Sequence, residues 1–401
     1  MKVLYLANGL PHYFNLVLSK LNSQPSLEVV VVAPKAPGRH IGEGVFQSRD
    51  GIGFRLVELA EYSLGPLAGF RGMTRLLLRE RPDIVVVPEH LLTGFFVHPG
   101  LLLARAVTRA RLVLKSIPFL LPDYATAREQ LDSLGPPSSF AGRLLQALGL
   151  RRLLLRAALE FRAFRYRRID THVNYVDAAR EIHGSYGVPQ ERICVTRNSP
   201  DTDAMRRTEA ALRAAGSLPA RDPHCLLHVG RLVAQKRVNL LIEAMPAVRE
   251  SIPHARLLIV GDGPERARFE DLARRLQVAD AVRFIGAVYD PMELARQFLT
   301  ASVFVLPGLG GLSINEAMFY GLAIVCSSGD GTEQFLVRER CNGTFFRGDD
   351  AHSLAQAIVR LMSDSGELQR MGVRSREIID REVNIATVVE GYLTAFSRAC
   401  A

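Results

Sequence analysis

Short apolar runs alternate with amphipathic segments along the first half of the chain. The runs are rich in Val, Leu and Ile and are bounded by turn residues, which is typical of buried parallel strands. Segments with helical periodicity separate them. The predicted strands are Val3–Ala7, Val29–Ala33, Phe54–Glu58, Ile84–Pro88, Leu112–Lys115, His172–Tyr175 and Ile193–Thr196. The predicted helices include Tyr13–Leu21, Met73–Glu80, Leu153–Tyr166 and Ala178–Tyr186.

A second series with the same pattern begins at Cys225. Residues 197–223, which precede it, are polar and rich in Arg and Ala, and we interpret them as an interdomain linker. The predicted strands of this series are Cys225–Val229, Leu257–Val260, Val282–Ile285, Val303–Leu306, Ala323–Cys326 and Thr344–Phe346. The predicted helices include Asn239–Glu250, Arg266–Leu276 and a final helix at about 387–399.

Repeated β-α units predict an α/β fold with doubly wound parallel sheets. A chain of 401 residues is too long for one ordinary core. We therefore expect two Rossmann-like domains, residues 1–200 and 201–385, and a terminal helix at 386–401 that crosses back to the first domain. Parallel sheets bind ligands at the carboxyl ends of their strands, so the expected site is a cleft that both domains face.

Polar residues follow several predicted strands of the first half and are expected on loops facing this cleft. They are Asn8 and Gly9, Glu89 and His90, Ser116, and Asn198. His12 comes directly after the first of these loops, and we interpret it either as a binding residue or as a structural one.

The segment after the predicted strand Val303–Leu306 has the composition of an anion site. Its loop contains three glycines, Gly308, Gly310 and Gly311. A helix is expected to begin near Ser313, a good N-cap residue, with Glu316 three positions later. A glycine loop that leads into a helix N-terminus presents bare N–H groups to a phosphate. In the alternative interpretation, the glycines form a tight turn and Glu316 only completes a capping box.

The loop from Gly230 to Lys236 follows the first strand of the second series. Arg231 and Lys236 are two cations at a carboxyl edge, where they are suited to hold a diphosphate. The alternative is a solvated loop with surface charges. The segment Val260–Glu265 is not a dinucleotide motif, because Arg266 stands where the third glycine belongs.

The cysteines, the metal-binding residue types and the apolar runs indicate which classes of protein are excluded. Five scattered cysteines without a C-x-x-C pair predict neither a zinc site nor a disulfide framework and favour a reducing compartment. We find no metal-ligand pattern, and no apolar run reaches the ~18–20 residues of a membrane span. The expected location is therefore cytoplasmic.

Much of the net charge of +9 lies in one basic segment, residues 143–168. Eight arginines against two acids give residues 141–170 a net charge of +6. Leucines and phenylalanines are interleaved with the arginines, which predicts an amphipathic helix. This segment either lies on an anionic membrane surface or packs on the sheet with its arginines outward. We expect no nucleic-acid partner.

The motifs of the second half, taken together, resemble those of the family 4 glycosyltransferases with the GT-B fold. The matching segments are Gly230-Arg231 with Lys236, Val260–Glu265, Phe284–Gly286, Leu306-Pro307, Asn315–Val325, Gly331–Glu333 and Asn342-Gly343. In the first half the likeness rests on the initial strand and loop and on Asn198–Asp201.

The resemblance implies transfer of a sugar from a nucleotide-diphosphate donor, with retention of configuration and without a metal or a cofactor. Arg231 and Lys236 would hold the diphosphate, and Glu316 would bind the ribose hydroxyls. Other donor contacts would come from Asn8, Gly9, Gly230, Gly310, Gly311, Leu312 and Ser313. The expected acceptor is lipid-linked or another glycan, in polysaccharide or cell-envelope biosynthesis at the inner face of the membrane.

Two positions depart from the family pattern. The family's first Glu, eight positions before Glu316, is replaced by Gly308. The family's cleft histidine is absent from Leu114–Pro118, and either His90 or Ser116 is a possible substitute. The missing Glu motivates an alternative hypothesis, in which the protein is a non-catalytic sugar-nucleotide-binding subunit or scaffold.

Overall fold

Parallel β-strands form the centre of each of two structural units in a computed structural model of the chain. The model describes residues 1–36, 47–49, 51–64, 67–117, 121–133, 149–329 and 331–401. One unit comprises Met1–Arg197 with Val388–Ala401, and the other comprises Asn198–Thr387. The α/β class with parallel sheets is as predicted.

In the described part of the first unit, seven parallel strands have the order β3-β2-β1-β6-β7-β8-β9. Strands β1, β2, β6 and β7 are almost entirely buried, which explains their near-continuous apolar sequences. Strands β4 and β5 form a separate antiparallel hairpin that the pattern did not predict. The strands are β1 (Lys2–Leu6), β2 (Glu28–Pro34), β3 (Arg55–Leu59), β4 (Glu61–Leu64), β5 (Leu67–Phe70), β6 (Ile84–Pro88), β7 (Arg111–Lys115), β8 (Thr171–Asn174) and β9 (Ile193–Val195).

The helices of this unit lie between the strands. They are α1 (His12–Asn22), α2 (Met73–Glu80), α3 (Glu89–Leu92), α4 (Gly94–Val97), α5 (Pro99–Thr108), α6 (Tyr124–Asp132), α7 (Leu150–Arg167) and α8 (Ala178–Ser185). Among the described residues, no single helix is long and apolar enough to cross a membrane. The segments Glu89–Val97 and Pro99–Thr108 meet that test only as a pair, and they are bent by 86° at the break.

In the second unit, six parallel strands of the described chain have the order β12-β11-β10-β13-β14-β15. They are β10 (Cys225–Val229), β11 (Arg256–Val260), β12 (Val282–Gly286), β13 (Val303–Leu306), β14 (Ala323–Cys326) and β15 (Gly343–Phe345). The helices are α9 (Thr202–Ala214), α10 (Val238–Ser251), α11 (Arg266–Arg275), α12 (Pro291–Thr300), α13 (Ser313–Phe319), α14 (Thr332–Leu336), α15 (Ala351–Met362) and α16 (Ser365–Arg381).

The interpretation of residues 197–223 as a linker was wrong, because α9 occupies the middle of this segment. Asp201 caps the helix by accepting a hydrogen bond from the backbone N–H of Ala204. Leu212 is fully buried in the core of the second unit. Arg and Ala are strong helix formers, so a polar composition rich in both is compatible with a packed helix.

The last helix, α17 (Ile385–Cys400), begins in the second unit and belongs to the first from Val388 onward. In the first unit, its Tyr392 ring lies 6.3 Å from the Phe14 ring of α1. This aromatic contact fixes the end of the chain against the first sheet's helices.

Candidate functional site

Three loops meet at the carboxyl edge of the second unit's sheet. The backbone N–H of Gly230 donates to Val260, and that of Leu232 donates to the carbonyl of Asp262. A Cβ atom at Gly261 would lie 1.9 Å from the carbonyl oxygen of Gly230. Gly261 also has a φ of +141°, which favours glycine. The loops that follow β10 and β11 are therefore held together by backbone contacts that only glycine permits.

Lys236 joins the loop after β10 to the loop after β13. Its Nζ donates to the carbonyl oxygens of Leu309 at 2.7 Å and Gly310 at 2.5 Å. The backbone N–H of Leu309 donates in turn to Gln235 at 3.0 Å. A Cβ atom at Gly311 would lie 3.3 Å from the same Nζ. The structure thus brings together Lys236, Gly310 and Gly311, which the sequence had placed in two separate motifs.

Gly308 packs directly against the backbone of the other loop. A Cβ atom at this position would lie 2.3 Å from the carbonyl oxygen of Gln235 and 2.8 Å from that of Lys236. No side chain fits there without displacing backbone. The absence of a carboxylate at this position is therefore a requirement of the packing between the two loops.

Arg231 lies half-buried on the same loop as Lys236, immediately after Gly230. Among the described residues, no carboxylate forms an ion pair with its guanidinium. A cation without an acidic partner at the carboxyl edge is available to an anionic ligand. The geometry is compatible with the diphosphate role expected from the sequence.

The capping predicted for α13 is not formed. Its N-cap residue is Leu312, and no side chain caps the helix, so Ser313 is the first helical residue and not the cap. Among the described residues, no backbone N–H and no side chain donates a hydrogen bond to the Glu316 carboxylate, so the capping box is absent. Burial raises the pKa of Glu316 to about 7. The carboxylate is left with its acceptor capacity for a ligand.

His228 lies beneath this edge and was not selected from the sequence. It is fully buried on β10, and its Nδ1–H donates to the carbonyl of Val305 at 3.0 Å. Its Nε2 has no partner among the described residues, and a Cβ atom at Gly230 would lie 3.3 Å from it. Burial lowers the pKa of His228 to about 4, so the ring is neutral. The signal in the sequence that could have identified His228 is a histidine inside an otherwise apolar strand.

The candidate residues of the first unit follow the strands of its sheet as predicted. Asn8 and Gly9 come after β1, and the Asn8 Oδ1 atom is buried without a partner among the described residues. His12 is the first residue of α1. His90 lies in α3, with its Nε2 atom 3.9 Å from a carboxylate oxygen of Glu61.

Ser116 follows β7 and takes part in a buried network with Asn174 and His183. Its hydroxyl donates to the Asn174 Oδ1 atom at 2.7 Å and lies 2.9 Å from the His183 Nε2 atom. Because the only hydroxyl proton points at Asn174, His183 is the donor to Ser116. Ser116 is only 3% exposed. Its hydroxyl therefore makes its hydrogen bonds to Asn174 and His183 inside the fold.

His183 also lies against His172, with ring centroids 4.8 Å apart. His172 is on β8 and His183 on α8, and their spacing along the chain is no reason to pair them. Burial lowers the pKa of His172 to about 3 and that of His183 to about 4. Both imidazoles are therefore neutral parts of the core.

Lys115, the last residue of β7, is a further group missed by sequence reasoning. Its Nζ lies 3.2 Å from the centroid of the Phe14 ring and 5.7 Å from that of Tyr5. Burial lowers the pKa of Lys115 to about 7. This lysine occupies the segment in which the family resemblance led us to look for a histidine.

The basic segment 143–168 is described only from residue 149, so Arg143 lies outside the described residues. Helix α7 buries Leu159, Ala163 and Tyr166 in the core of the first unit. At its other end, Leu153 is 64% exposed and Leu154 is 50% exposed. The helix therefore packs on the sheet by its second half and leaves leucines of its first half at the surface.

Known proteins match this chain in sequence and in structure. Residues 214–378 match the family described as "Glycosyl transferases group 1". An uncharacterized glycosyltransferase of Methanocaldococcus jannaschii is 30% identical over 193 residues, which is 46% of this chain and 49% of the relative. The lipopolysaccharide core biosynthesis glycosyltransferase LpsE of Rhizobium meliloti is 31% identical over 192 residues, 47% of this chain and 53% of LpsE. This chain spans about half the length of these relatives.

The similarity in structure extends over the whole chain. The crystal structure of HepE from Anabaena in complex with UDP has a TM-score of 0.68 at 18% identity, and the match covers 99% of this chain and 100% of HepE. This likeness shows the fold, which is GT-B, as the sequence predicted.

Proposed function

We propose that this protein is a glycosyltransferase that moves a sugar from a nucleotide-diphosphate donor to a lipid-linked or other glycan acceptor. The observation that carries the proposal is the site of the second unit. Lys236 donates to the carbonyl oxygen of Gly310 there. Among the described residues, Arg231 has no acidic partner and the Glu316 carboxylate has no hydrogen-bond donor. This site lies inside the segment that matches the group 1 glycosyltransferases.

The chemistry of the transfer explains why two cations are useful. As the bond between the sugar C1 and the diphosphate breaks, negative charge develops on the leaving oxygen. Arg231 and Lys236 stabilise that charge if they contact the diphosphate. We propose that they replace a metal ion in this role, and that no cofactor takes part. Asn8 and Gly9 are proposed as further donor contacts.

The resemblance to family 4 glycosyltransferases supports retention of configuration. Gly308 does not supply a carboxylate to the transferred sugar, so that contact is proposed to come from backbone groups of the loop. LpsE and HepE support a role in cell-envelope or polysaccharide biosynthesis and a uridine nucleotide as the first donor to test. The proposed location is the cytoplasmic face of the membrane, with α7 at the lipid surface.

The alternative is a subunit that binds a sugar nucleotide without turnover. It predicts the same ligand affinity but no release of the nucleotide diphosphate.

A panel of nucleotide sugars tests both hypotheses. We expect at least one donor to raise the unfolding temperature, because a ligand present at 100 times its Kd stabilises the folded state by ~2.7 kcal/mol. Release of nucleotide diphosphate from that donor, measured with an added glycan-lipid extract as acceptor, then separates the enzyme from the scaffold. Stabilisation without any release in the presence of acceptors would favour the scaffold, and no stabilisation by any donor would contradict both.

A further inference from the structure

A groove of about 710 Å³ opens in the first unit between the β4–β5 hairpin, α2 and α5. Its apolar lining includes Tyr62, Phe70 and Met73. Two glycines shape it. A Cβ atom at Gly69 would lie 2.7 Å from the Tyr62 hydroxyl, and one at Gly100 would lie 2.8 Å from the hydroxyl of Thr74. Because residue 69 is glycine, the Tyr62 ring can lie across the hairpin. Because residue 100 is glycine, α5 can approach α2 closely.

The polar residues of the groove are mostly hydrogen-bond donors. Arg71 and Arg75 line it, are exposed, and form no ion pair with an acid among the described residues. His98 lines it as well, and its Nδ1 atom accepts a hydrogen bond from the backbone N–H of Leu101 at 3.3 Å. Its neutral ring therefore carries its proton on Nε2, as a donor. None of the described lining residues is acidic.

Exposed apolar side chains lie next to the groove. Leu64 at the hairpin tip is 71% exposed, Leu78 on α2 is 39% exposed, and Val97 beside His98 is 41% exposed. Such side chains are costly in water when they lie together, and they mark a surface that contacts apolar material. An apolar lining with cationic donors and without acids is complementary to an anionic head group attached to a hydrocarbon chain.

The groove lies on the side of the sheet where ligands are expected. Helix α2 starts after β3 and the hairpin, and α5 starts after β6, so both helices begin at the carboxyl edge of the first sheet. Both pack on the same face of the sheet as α7, with which they share one hydrophobic core. The groove therefore belongs to the same layer of helices as the basic helix.

We infer that this groove binds a phosphate-bearing lipid, with the phosphate against Arg71, Arg75 and His98 and the hydrocarbon chain along Tyr62, Phe70 and Leu78. The inference rests on the proposed function, for which it names the acceptor class as a lipid phosphate.

A single introduced tryptophan makes the binding measurable, because the chain contains no Trp. In the Leu78→Trp variant, titration with dodecyl phosphate below its micelle concentration should shift the emission to the blue and saturate. Leu218→Trp, at an exposed position of the second unit, is the control reporter and should not respond. The neutral amphiphile dodecyl maltoside should bind Leu78→Trp at least about tenfold more weakly, because it lacks the charged hydrogen bonds.

Substitution of Arg71 and Arg75 tests whether the phosphate contacts these two residues. Arg71→Gln with Arg75→Gln, in the Leu78→Trp background, should weaken dodecyl phosphate binding by about tenfold or more per arginine. The matched control, Arg275→Gln with Arg381→Gln, removes the same charge from exposed positions of the second unit and should leave the affinity unchanged. Calorimetry repeats the comparison of the two arginine pairs in the chain without Trp. A folding defect of the Leu78→Trp variant therefore does not decide the result.

Equal affinity for the phosphate and the maltoside, equal effects of the two arginine pairs, or no saturable binding would each overturn the inference. Nucleotide-sugar binding, measured separately on the same variants, keeps this result apart from the proposed function. If dodecyl phosphate fails to bind while a donor is turned over, only the groove assignment is lost. If it binds as expected while no donor binds, the proposed function and the acceptor role are lost, and the groove remains a site for a lipid phosphate.

Discussion

Lys236 donates hydrogen bonds to the carbonyl oxygens of Leu309 and Gly310. It therefore both holds a loop and presents a positive charge at the carboxyl edge. A bound diphosphate would compete with these carbonyls for the ammonium group. Arg231 has no acidic partner among the described residues. It therefore presents a positive charge at this edge, but it does not hold the loop after β13 as Lys236 does.

We expect Lys236→Ala and Arg231→Ala each to lower kcat/KM by ~100- to 1,000-fold, because removing one stabilising group from a developing anion costs ~2.7–4 kcal/mol. Steady-state kinetics with the donor found by the panel measures the effect, and circular dichroism checks the fold. Arg275→Ala, at an exposed arginine at the end of α11, is the matched control. Near-normal turnover in both variants would contradict the assignment of the donor site.

Glu316 is half-buried, and its raised pKa of about 7 makes its role sensitive to pH. The carboxylate accepts hydrogen bonds from hydroxyl groups best when it is ionised, which requires a pH above 7. Below that pH the neutral acid accepts them weakly. The affinity for a nucleotide diphosphate should therefore fall as the pH is lowered through 7.

We predict that Glu316→Gln weakens binding of the nucleotide diphosphate by about 10- to 100-fold at pH 8, since each charged hydrogen bond contributes ~1.5–3 kcal/mol. Calorimetry at pH 6 and pH 8 measures the affinity of parent and variant. The ratio of the two affinities should shrink at pH 6, where the parent carboxyl is mostly protonated. A ratio that is close to one at both pH values would mean that Glu316 does not bind the nucleotide.

The contact between the loops after β10 and β13 depends on glycine. Gly308 leaves no space for a Cβ atom against the backbone of Gln235, and Lys236 crosses from one loop to the other. Restoring the family's carboxylate at this position therefore requires the two loops to separate.

Gly308→Ala should lower stability by ~1–3 kcal/mol, the usual cost of overpacking, and Gly308→Glu should lower both stability and activity. The unfolding temperature and the turnover rate measure the two effects. Gly348→Ala is the control, because a Cβ atom there has its nearest neighbour at 3.8 Å. A Gly308→Glu variant with raised activity would show that the loops adapt to a side chain.

His172 on β8, His183 on α8 and His228 on β10 are three neutral imidazoles in the cores of the two units. Their pKa values are lowered by burial to about 3, 4 and 4. The unfolded chain binds protons at these residues below pH ~6.5, while the folded chain does not. Their contribution to stability is therefore complete above pH 6.5 and is lost as the pH falls from 6.5 toward 4.

We expect acid to destabilise the protein in that window by up to ~1.4 kcal/mol per pH unit for each histidine. Urea unfolding between pH 7.5 and pH 5 measures the slope. His183→Gln retains a donor for Ser116 and should reduce the slope by about one proton. An unchanged slope in this variant would show that His183 is protonated in the folded state.

Part of the net charge of +9 lies on exposed arginines of the first unit. Helix α7 presents Arg152, Leu153, Leu154 and Arg156 on its exposed first half. The ion pair between Arg156 and Asp132, at 2.7 Å, neutralises only part of this charge. A surface with alternating arginine and leucine side chains suits an anionic lipid layer.

We predict co-sedimentation with vesicles that contain anionic lipid, and less with neutral vesicles. Binding should weaken with salt, because the Debye length falls from ~10 Å at 0.1 M to ~3 Å at 1 M. Replacing Arg151, Arg152 and Arg156 by Gln should reduce this binding and spare transfer to a soluble acceptor analogue. Lost thermal stability without any dependence on lipid charge would instead identify α7 as an ordinary helix that covers the sheet.

The strands of the two parallel sheets were predictable from sequence to within one or two residues, because burial on both faces of a parallel strand requires a continuous apolar run. Cys225–Val229, Val303–Leu306 and Ala323–Cys326 agree in both bounds. The order of strand, loop and helix also predicts that Arg231 and Lys236 lie at a carboxyl edge. These are local properties of the chain, which a short window of sequence contains.

Contacts between distant segments could not be read in this way. The pairing of His172 with His183, the packing of Gly308 on Gln235 and the groove beneath the β4–β5 hairpin all join residues from different elements. Their distances depend on how helices and loops pack across a sheet, and periodicity carries no information about that. The same limit applies to α9: its polar residues predict a linker, whereas the core that buries Leu212 exists only in the folded chain.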